Sequence, residues 1–161
     1  FIGQAEVLDS LSLLVIGDLS YLYDLNAAIH DFKNNTRVLL INNFAGGEFH
    51  FNIGKKKIST LEQHIAAGHH TKIQDAIGLS NFQYIAVHNK GELEEKLSLF
   101  LRESENPILM EVFTNPELDG SSLKKLIRNN IKMTPERLIA GFVNKFLDCR
   151  TKYAIKKFLH R

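Results

Sequence analysis

The sequence has one cysteine, no long apolar run and almost no net charge, and each of these features excludes a class of protein. A single cysteine, Cys149, excludes an internal disulfide framework and favours a reducing compartment, so we expect a cytoplasmic protein. No apolar segment reaches the roughly 18 residues that a membrane-spanning helix needs, so no membrane span is predicted. The 20 Lys and Arg residues nearly balance the 18 Asp and Glu residues, so the charge gives no indication of nucleic acid binding.

The sequence also lacks the motifs of several common enzyme classes. Gly46-Gly47 is not followed by a P-loop lysine and hydroxyl residue at the required spacing, and no serine nucleophile elbow or Cys-His pair is present. His64, His69 and His70 are candidates for a zinc site, but a glycine-containing turn separates His64 from the adjacent pair. We instead predict a loop and helix boundary there, with one histidine as a candidate substrate contact. Covalent chemistry is therefore expected to come from a cofactor.

The pattern that organises the chain lies between residues 13 and 51. An apolar strand at 13–16 leads into Gly17-Asp18-Leu19-Ser20, and an amphipathic helix then extends to about Phe32. A second apolar strand at 38–41 ends in the loop 42–47. Two buried parallel strands joined by a helix form a βαβ unit, and such sheets bind ligands where the carboxyl ends of the strands open into loops. Both polar clusters fall at those ends.

These two loops carry the oxygen atoms that a hard cation prefers. Asp18 offers a carboxylate, Asn43 offers an amide oxygen, and the turn after Asn43 offers a main-chain carbonyl. Magnesium takes octahedral oxygen ligands, usually one or two carboxylates together with phosphate oxygens and water. We expect Gly17 to allow a sharp bend behind the strand, and a helix beginning near Ser20 to point its N–H groups at an anion. The pattern predicts a site for a metal-bound diphosphate.

This combination resembles the cofactor signature of the thiamine diphosphate-dependent enzymes, which pair a Gly-Asp with a later Asn-Asn as Gly17-Asp18 and Asn42-Asn43 do here. Within that family, residues 17–27 are most similar to the synthases of menaquinone biosynthesis. The resemblance extends from about residue 3 to residue 127 and includes the segment 108–115. It implies that this is the carboxyl-terminal, diphosphate-binding domain of a longer enzyme.

The fold expected from the resemblance agrees with the alternation of strands and helices along the chain. Both predict an α/β domain of three layers, with a mostly parallel sheet between helices. We assign this diphosphate- and magnesium-binding domain to residues 1–130 and a helical tail to residues 131–161. The chain opens at Phe1 rather than at a methionine, so we expect amino-terminal domains of the same polypeptide to precede it.

The resemblance also assigns roles to individual residues. It implies that the side chains of Asp18 and Asn43 and the carbonyl of Ala45 bind the metal. The residues implied in cofactor binding are Gly17, Asp18, Leu19, Ser20, Asn43, Ala45, Gly46 and Phe49. The menaquinone synthases have glycine where Ala45 lies and an apolar residue where Glu48 lies, and Glu48 is a candidate substrate contact. No catalytic residue is assigned here, because the glutamate that activates the cofactor belongs to a missing domain.

The implied function is decarboxylation of a 2-oxo acid and transfer of the resulting enamine to an acceptor, with 2-oxoglutarate and isochorismate as the expected pair. The cofactors are thiamine diphosphate and Mg²⁺, the full-length enzyme is expected to be a homodimer or homotetramer, and the isolated chain is expected to be inactive. One alternative is another acetolactate synthase-like decarboxylase or carboligase of polysaccharide or secondary metabolism, which Ala45, Glu48 and the tail favour. The other is a non-catalytic assembly domain, which the intact Asp18 and Asn43 oppose.

The tail has a helical pattern of its own. Thr134-Pro135 predicts a helix start, and basic residues alternate with apolar ones near the end of the chain. Its apolar stripe consists of Leu138, Ile139, Phe142, Val143, Phe146 and Leu147. Three interpretations remain: the stripe packs against a missing domain or another subunit, it packs on this domain, or the tail is a basic helix on a membrane surface.

Overall fold

The computed structural model of the chain describes residues 1–52 and 60–130. The predicted tail at 131–161 lies outside these residues. The chain divides into two units, Phe1–Lys124 and Lys125–Arg161, and nearly all of the described residues belong to the first. Within the described residues, no helix is both long enough and apolar enough to cross a membrane.

Four parallel strands form one sheet in the order β1-β2-β4-β3. The strands are β1 (Ser12–Gly17), β2 (Thr36–Asn42), β3 (Gln83–Val87) and β4 (Ile108–Phe113). The strands predicted at 13–16 and 38–41 are β1 and β2, and both extend beyond the predicted bounds at each end. The register sets Gly17 beside Ile41 and Asn42 beside Phe113, so the carboxyl ends of three neighbouring strands meet at one edge of the sheet.

The helices that connect the strands differ in part from the prediction. They are α1 (Ile2–Val7), α2 (Asp18–Tyr23), α3 (Gly47–Asn52), α4 (Lys90–Leu101) and α5 (Pro116–Asn130), with a short π-helical turn at Leu61–Ile65. The predicted helix from Ser20 to Phe32 is wrong in its extent, because α2 begins at Asp18 and a 3₁₀ turn at Leu25–Ala28 replaces its second half. Asp24 and Asn26 have short polar side chains that compete for backbone hydrogen bonds, which disfavours a helix interior.

Apolar side chains cover both faces of the sheet, so the predicted three-layer α/β fold is confirmed. On one face Val38, Leu40 and Leu109 pack with Tyr21 of α2 and with Phe32, Ile73 and Phe82. On the other face, Phe100 of α4 packs with Ile85, Val87, Ile108 and Met110. In the described part of the chain, that second face is less covered over β1 and β2, where Leu13, Val15 and Ile41 are exposed.

A buried arginine joins β2 to the end of α4. Arg37 is 1% exposed. Its Nε donates to the carbonyl of Phe100 at 2.6 Å, and its Nη2 donates to the carbonyl of Arg102 at 2.6 Å. Its Nη1 donates to the carbonyls of Asn34 and Thr36 at 2.7 and 2.9 Å. The last carbonyls of a helix have no partner within the helix, so the guanidinium supplies the donors that they need.

Replacing Arg37 with methionine should destabilise the protein. The variant Arg37→Met keeps the apolar stem but leaves buried carbonyls without donors, so the free energy of unfolding should fall by about 3 kcal/mol. Urea denaturation followed by circular dichroism measures the change. The matched control is Arg102→Met, at an exposed arginine, which should change the free energy by less than about 0.5 kcal/mol. Equal stability of the two variants would contradict this role of Arg37.

Candidate functional site

The predicted site residues come together at the carboxyl ends of β1 and β2. Helix α2 begins immediately after β1, at Asp18, and a short loop leads from β2 into α3. An open cleft of about 590 Å³ lies between these elements, and Val15 and Ile41 add apolar surface to it. Its lining includes all of the predicted site residues: Gly17, Asp18, Leu19, Ser20, Asn43, Ala45, Gly46, Glu48 and Phe49. Their roles in binding stay predictions.

Asp18 is a buried carboxylate with a hydrogen bond to each oxygen. It is 3% exposed. Its Oδ1 accepts from the backbone N–H of Leu19 at 2.8 Å, and its Oδ2 lies 3.2 Å from Nε2 of His69. His64 and His70 are exposed. The structure therefore places one of the three predicted histidines against the carboxylate that was predicted to bind metal, rather than in a zinc cluster.

The loop after β2 is built from two successive asparagine turns. Asn42 Oδ1 accepts from the N–H of Phe44 at 3.0 Å, and Asn43 Oδ1 accepts from the N–H of Ala45 at 3.2 Å. Phe44 adopts φ of 62°, a left-handed conformation that is strained for a residue with a side chain. Ala45 does not have a positive φ, so alanine is tolerated where the resembling synthases have glycine.

Asp119, at the start of α5, orients the amide of Asn43. Its Oδ2 accepts from Asn43 Nδ2 at 3.3 Å and from the hydroxyl of Thr114 at 2.7 Å. Because the Nδ2 of Asn43 points to Asp119, its Oδ1 is held on the opposite side of the amide. No sequence signal links Asp119 to Asn43, since the two residues are far apart in the chain.

Glu111 is a second residue that the sequence analysis missed. It is fully buried on β4 and accepts hydrogen bonds from Asn42 Nδ2 at 2.6 Å, the N–H of Ile73 at 3.0 Å and the hydroxyl of Tyr84 at 2.5 Å. Burial and the hydrogen bond to Glu111 raise the pKa of Tyr84 above its ordinary value. Glu111 thus ties the end of β2 to the segment that follows His69. One charged residue within the apolar run 108–113 was the available signal.

The glycines of the cleft differ in what they contribute. A Cβ on Gly47 would lie 2.7 Å from Asn43 Nδ2, and one on Gly46 would lie 2.9 Å from Cδ2 of Phe49. These close approaches need glycine. Gly17 has φ of −85° and open space around its Cα, so the turn into α2 does not require glycine at this position. The chain turns into α2 there through ordinary extended backbone.

The donor set of the cleft fits magnesium better than a softer metal. Within residues 1–52 and 60–130, no three His, Cys, Asp or Glu side chains gather as a metal site. The cleft instead combines the carboxylate of Asp18 with the amide of Asn43 and the main chain of Ala45. Oxygen ligands of this kind, with few charges, are those that magnesium accepts alongside phosphate and water.

A side chain at Gly47 should disturb the loop, and one at Gly17 should not. We expect Gly47→Ala to lower the free energy of unfolding by about 1 to 3 kcal/mol, because the new methyl group overlaps Asn43. Gly17→Ala is the matched control from the same cleft. It should leave stability unchanged or raise it by less than about 1 kcal/mol. Chemical denaturation of both variants checks this, and a larger loss for Gly17→Ala would contradict the geometry.

No protein-family profile matches the chain. The 2-succinyl-5-enolpyruvyl-6-hydroxy-3-cyclohexene-1-carboxylate synthase of Bacteroides thetaiotaomicron is 37% identical over 126 residues, which are 76% of this chain and 23% of the relative. The synthase of the same name from Bacteroides fragilis is 36% identical over the same shares. That of Christiangramia forsetii is 31% identical over 111 residues, 68% of this chain and 19% of the relative.

The chain spans about a quarter of the length of the curated relatives that it matches. The matches nevertheless cover most of the chain itself, and several curated proteins of one name share the similarity. The family resemblance predicted from the sequence is thereby confirmed, and the chain is a relative, over about three-quarters of its length, of the 2-succinyl-5-enolpyruvyl-6-hydroxy-3-cyclohexene-1-carboxylate synthases.

Proposed function

We propose that this chain is the diphosphate- and magnesium-binding part of a thiamine diphosphate-dependent synthase of menaquinone biosynthesis. One observation carries the proposal: Asp18, Asn43 and Ala45 line a single cleft at the carboxyl ends of two adjacent parallel strands. That edge is where sheets of this kind bind ligands. The similarity to synthases named for this reaction supports the same conclusion.

The residues of the cleft have distinct roles in this proposal. The carboxylate of Asp18, the amide oxygen of Asn43 and the carbonyl of Ala45 bind Mg²⁺, which neutralises the diphosphate of the cofactor. Gly17, Leu19, Ser20 and Gly46 bring main chain close to the diphosphate, and Phe49 packs beside the cofactor. When bound, thiamine diphosphate supplies the carbon nucleophile for decarboxylation of a 2-oxo acid. The chain itself binds and orients that group.

The buried hydrogen bonds around the cleft support its use as a binding site. Asp119 fixes the amide of Asn43, and Glu111 fixes Asn42 at the end of β2. A metal ion with strict octahedral geometry requires ligands that are already oriented when it arrives. The left-handed Phe44 is a strained residue within the same loop, and such strain is typical of functional sites.

We propose that 2-oxoglutarate is the donor substrate and isochorismate the acceptor substrate. We also propose that the full-length enzyme is a cytoplasmic homodimer or homotetramer.

Glu48 gives a reason for a second candidate, because it places an exposed carboxylate on a cleft where the resembling synthases have an apolar residue. A negative charge there repels dianionic substrates such as 2-oxoglutarate more strongly than a monoanion such as pyruvate. The second candidate is therefore another acetolactate synthase-like decarboxylase or carboligase, of polysaccharide or secondary metabolism.

Loss of the Asp18 carboxylate should abolish cofactor binding. In the full-length protein, calorimetric titration with thiamine diphosphate and Mg²⁺ should show saturable binding that Asp18→Ala loses, because the metal loses its charged ligand. The control is Asp24→Ala, an exposed aspartate just after α2, which should bind as the wild type does. Equal binding by Asp18→Ala would refute the metal assignment. Absence of binding by the wild type would favour the non-catalytic assembly domain.

A panel of 2-oxo acids distinguishes the two enzyme candidates. The full-length protein should consume 2-oxoglutarate fastest, and only when isochorismate is present as the acceptor. Carbon dioxide release measured with each acid at equal concentration provides the comparison. A preference for pyruvate would exclude the menaquinone reaction and favour the acetolactate synthase-like candidate.

A further inference from the structure

We propose that His69 is a positioning residue that holds the carboxylate of Asp18 in the orientation required for metal binding. The inference rests on the proposed function, because it concerns the same metal site. It assigns to His69 neither a ligand role nor a substrate contact. Its basis is a set of hydrogen bonds that fix both the ring of His69 and the proton that the ring carries.

The hydrogen bonds of the ring determine which nitrogen carries the proton. The backbone N–H of Thr71 donates to Nδ1 of His69 at 3.1 Å, so Nδ1 must be unprotonated. The neutral ring then carries its hydrogen on Nε2, which lies 3.2 Å from Oδ2 of Asp18. His69 is therefore the donor and Asp18 the acceptor. The side chains are 15% and 5% exposed, so water competes little for this bond.

His69 is also attached to the loop that carries the other proposed ligands. Its backbone N–H donates to the carbonyl of Phe44 at 2.9 Å, and its ring meets the ring of Phe44 edge-on with centroids 5.8 Å apart. Phe44 in turn stacks on Phe113, and Phe113 stacks on His88. Phe44 lies between Asn43 and Ala45, the two proposed metal ligands that follow β2. His69 therefore connects them to Asp18, the proposed metal ligand that follows β1.

The segment that follows His69 is anchored in the core. The N–H of Ile73 donates to the buried carboxylate of Glu111, and Asn42 Nδ2 donates to the carbonyl of Thr71 at 3.1 Å. The position of the imidazole is therefore set by contacts on either side of it, before any ligand binds. A donor held in this way restricts rotation of the Asp18 carboxylate.

The chemistry of the carboxylate explains why this matters. Each oxygen of Asp18 accepts one hydrogen bond, from Leu19 or from His69, and retains a lone pair for a metal ion. Hydrogen bonds from outside the ligand set orient the ligands, and their removal typically weakens metal affinity by about 10- to 100-fold. His69 itself is a poor ligand for magnesium, which prefers oxygen, and its Nε2 is occupied by hydrogen.

The test measures metal affinity of the full-length protein with Mn²⁺ as the probe. In the presence of thiamine diphosphate, free Mn²⁺ is followed by electron paramagnetic resonance. His69→Phe fills the space of the ring without a donor and should weaken Mn²⁺ binding by about 10- to 100-fold. His69→Gln places an amide N–H where Nε2 was and should restore most of the affinity. His69→Asn, one methylene shorter, should not.

The control is His70→Phe, which alters the adjacent exposed histidine and should bind Mn²⁺ as the wild type does. If His69→Phe does not fold, the comparison of His69→Gln with His69→Asn carries the test. Equal Mn²⁺ affinity in these two variants overturns the role of His69 as a donor, as does unchanged affinity in a folded His69→Phe. Failure of the wild type to bind Mn²⁺ refutes the proposed function, and this inference fails with it.

Discussion

The parallel register of β1 and β2 is the constraint on which the rest of the site depends. Because Gly17 lies beside Ile41, the residues that follow both strands emerge at one edge of the sheet. Helix α2 and the loop before α3 therefore begin next to each other and enclose the cleft. A shift of one residue in this pairing would turn the side chains of β2 to the opposite faces of the sheet and separate Asp18 from the asparagine loop.

Buried polar residues fix the two ends of the same sheet. At the amino end, Arg37 donates to carbonyls at the end of α4, and at the carboxyl end, Glu111 accepts from Asn42, Ile73 and Tyr84. Burying such charges is costly unless hydrogen bonds replace those with water, and here several do. The consequence at the carboxyl end is that the buried Glu111 orients Asn42, the first asparagine of the loop after β2.

The cleft combines two chemical surfaces that suit one kind of ligand. Its polar part comes from Asp18 and the asparagine loop, and its apolar part includes Val15 and Ile41 on the exposed portion of the sheet. A cofactor with a charged diphosphate at one end and an aromatic body at the other matches this division, which supports the proposed function. His69 adds a hydrogen-bond donor between Asp18 and the asparagine loop.

The sequence by itself determined the strands, the three-layer class and the placement of Asp18 and Asn43 at strand ends, because apolar runs and strand-end polar residues are local patterns. The prediction for the extent of α2 was wrong, because packing overrides local helix propensity. Only the tertiary structure decided that His69 donates to Asp18 and that Glu111 anchors the loop. His69 lies 51 positions after Asp18, and Glu111 lies 69 positions after Asn42. No periodicity in the sequence encodes which side chains at such separations will meet.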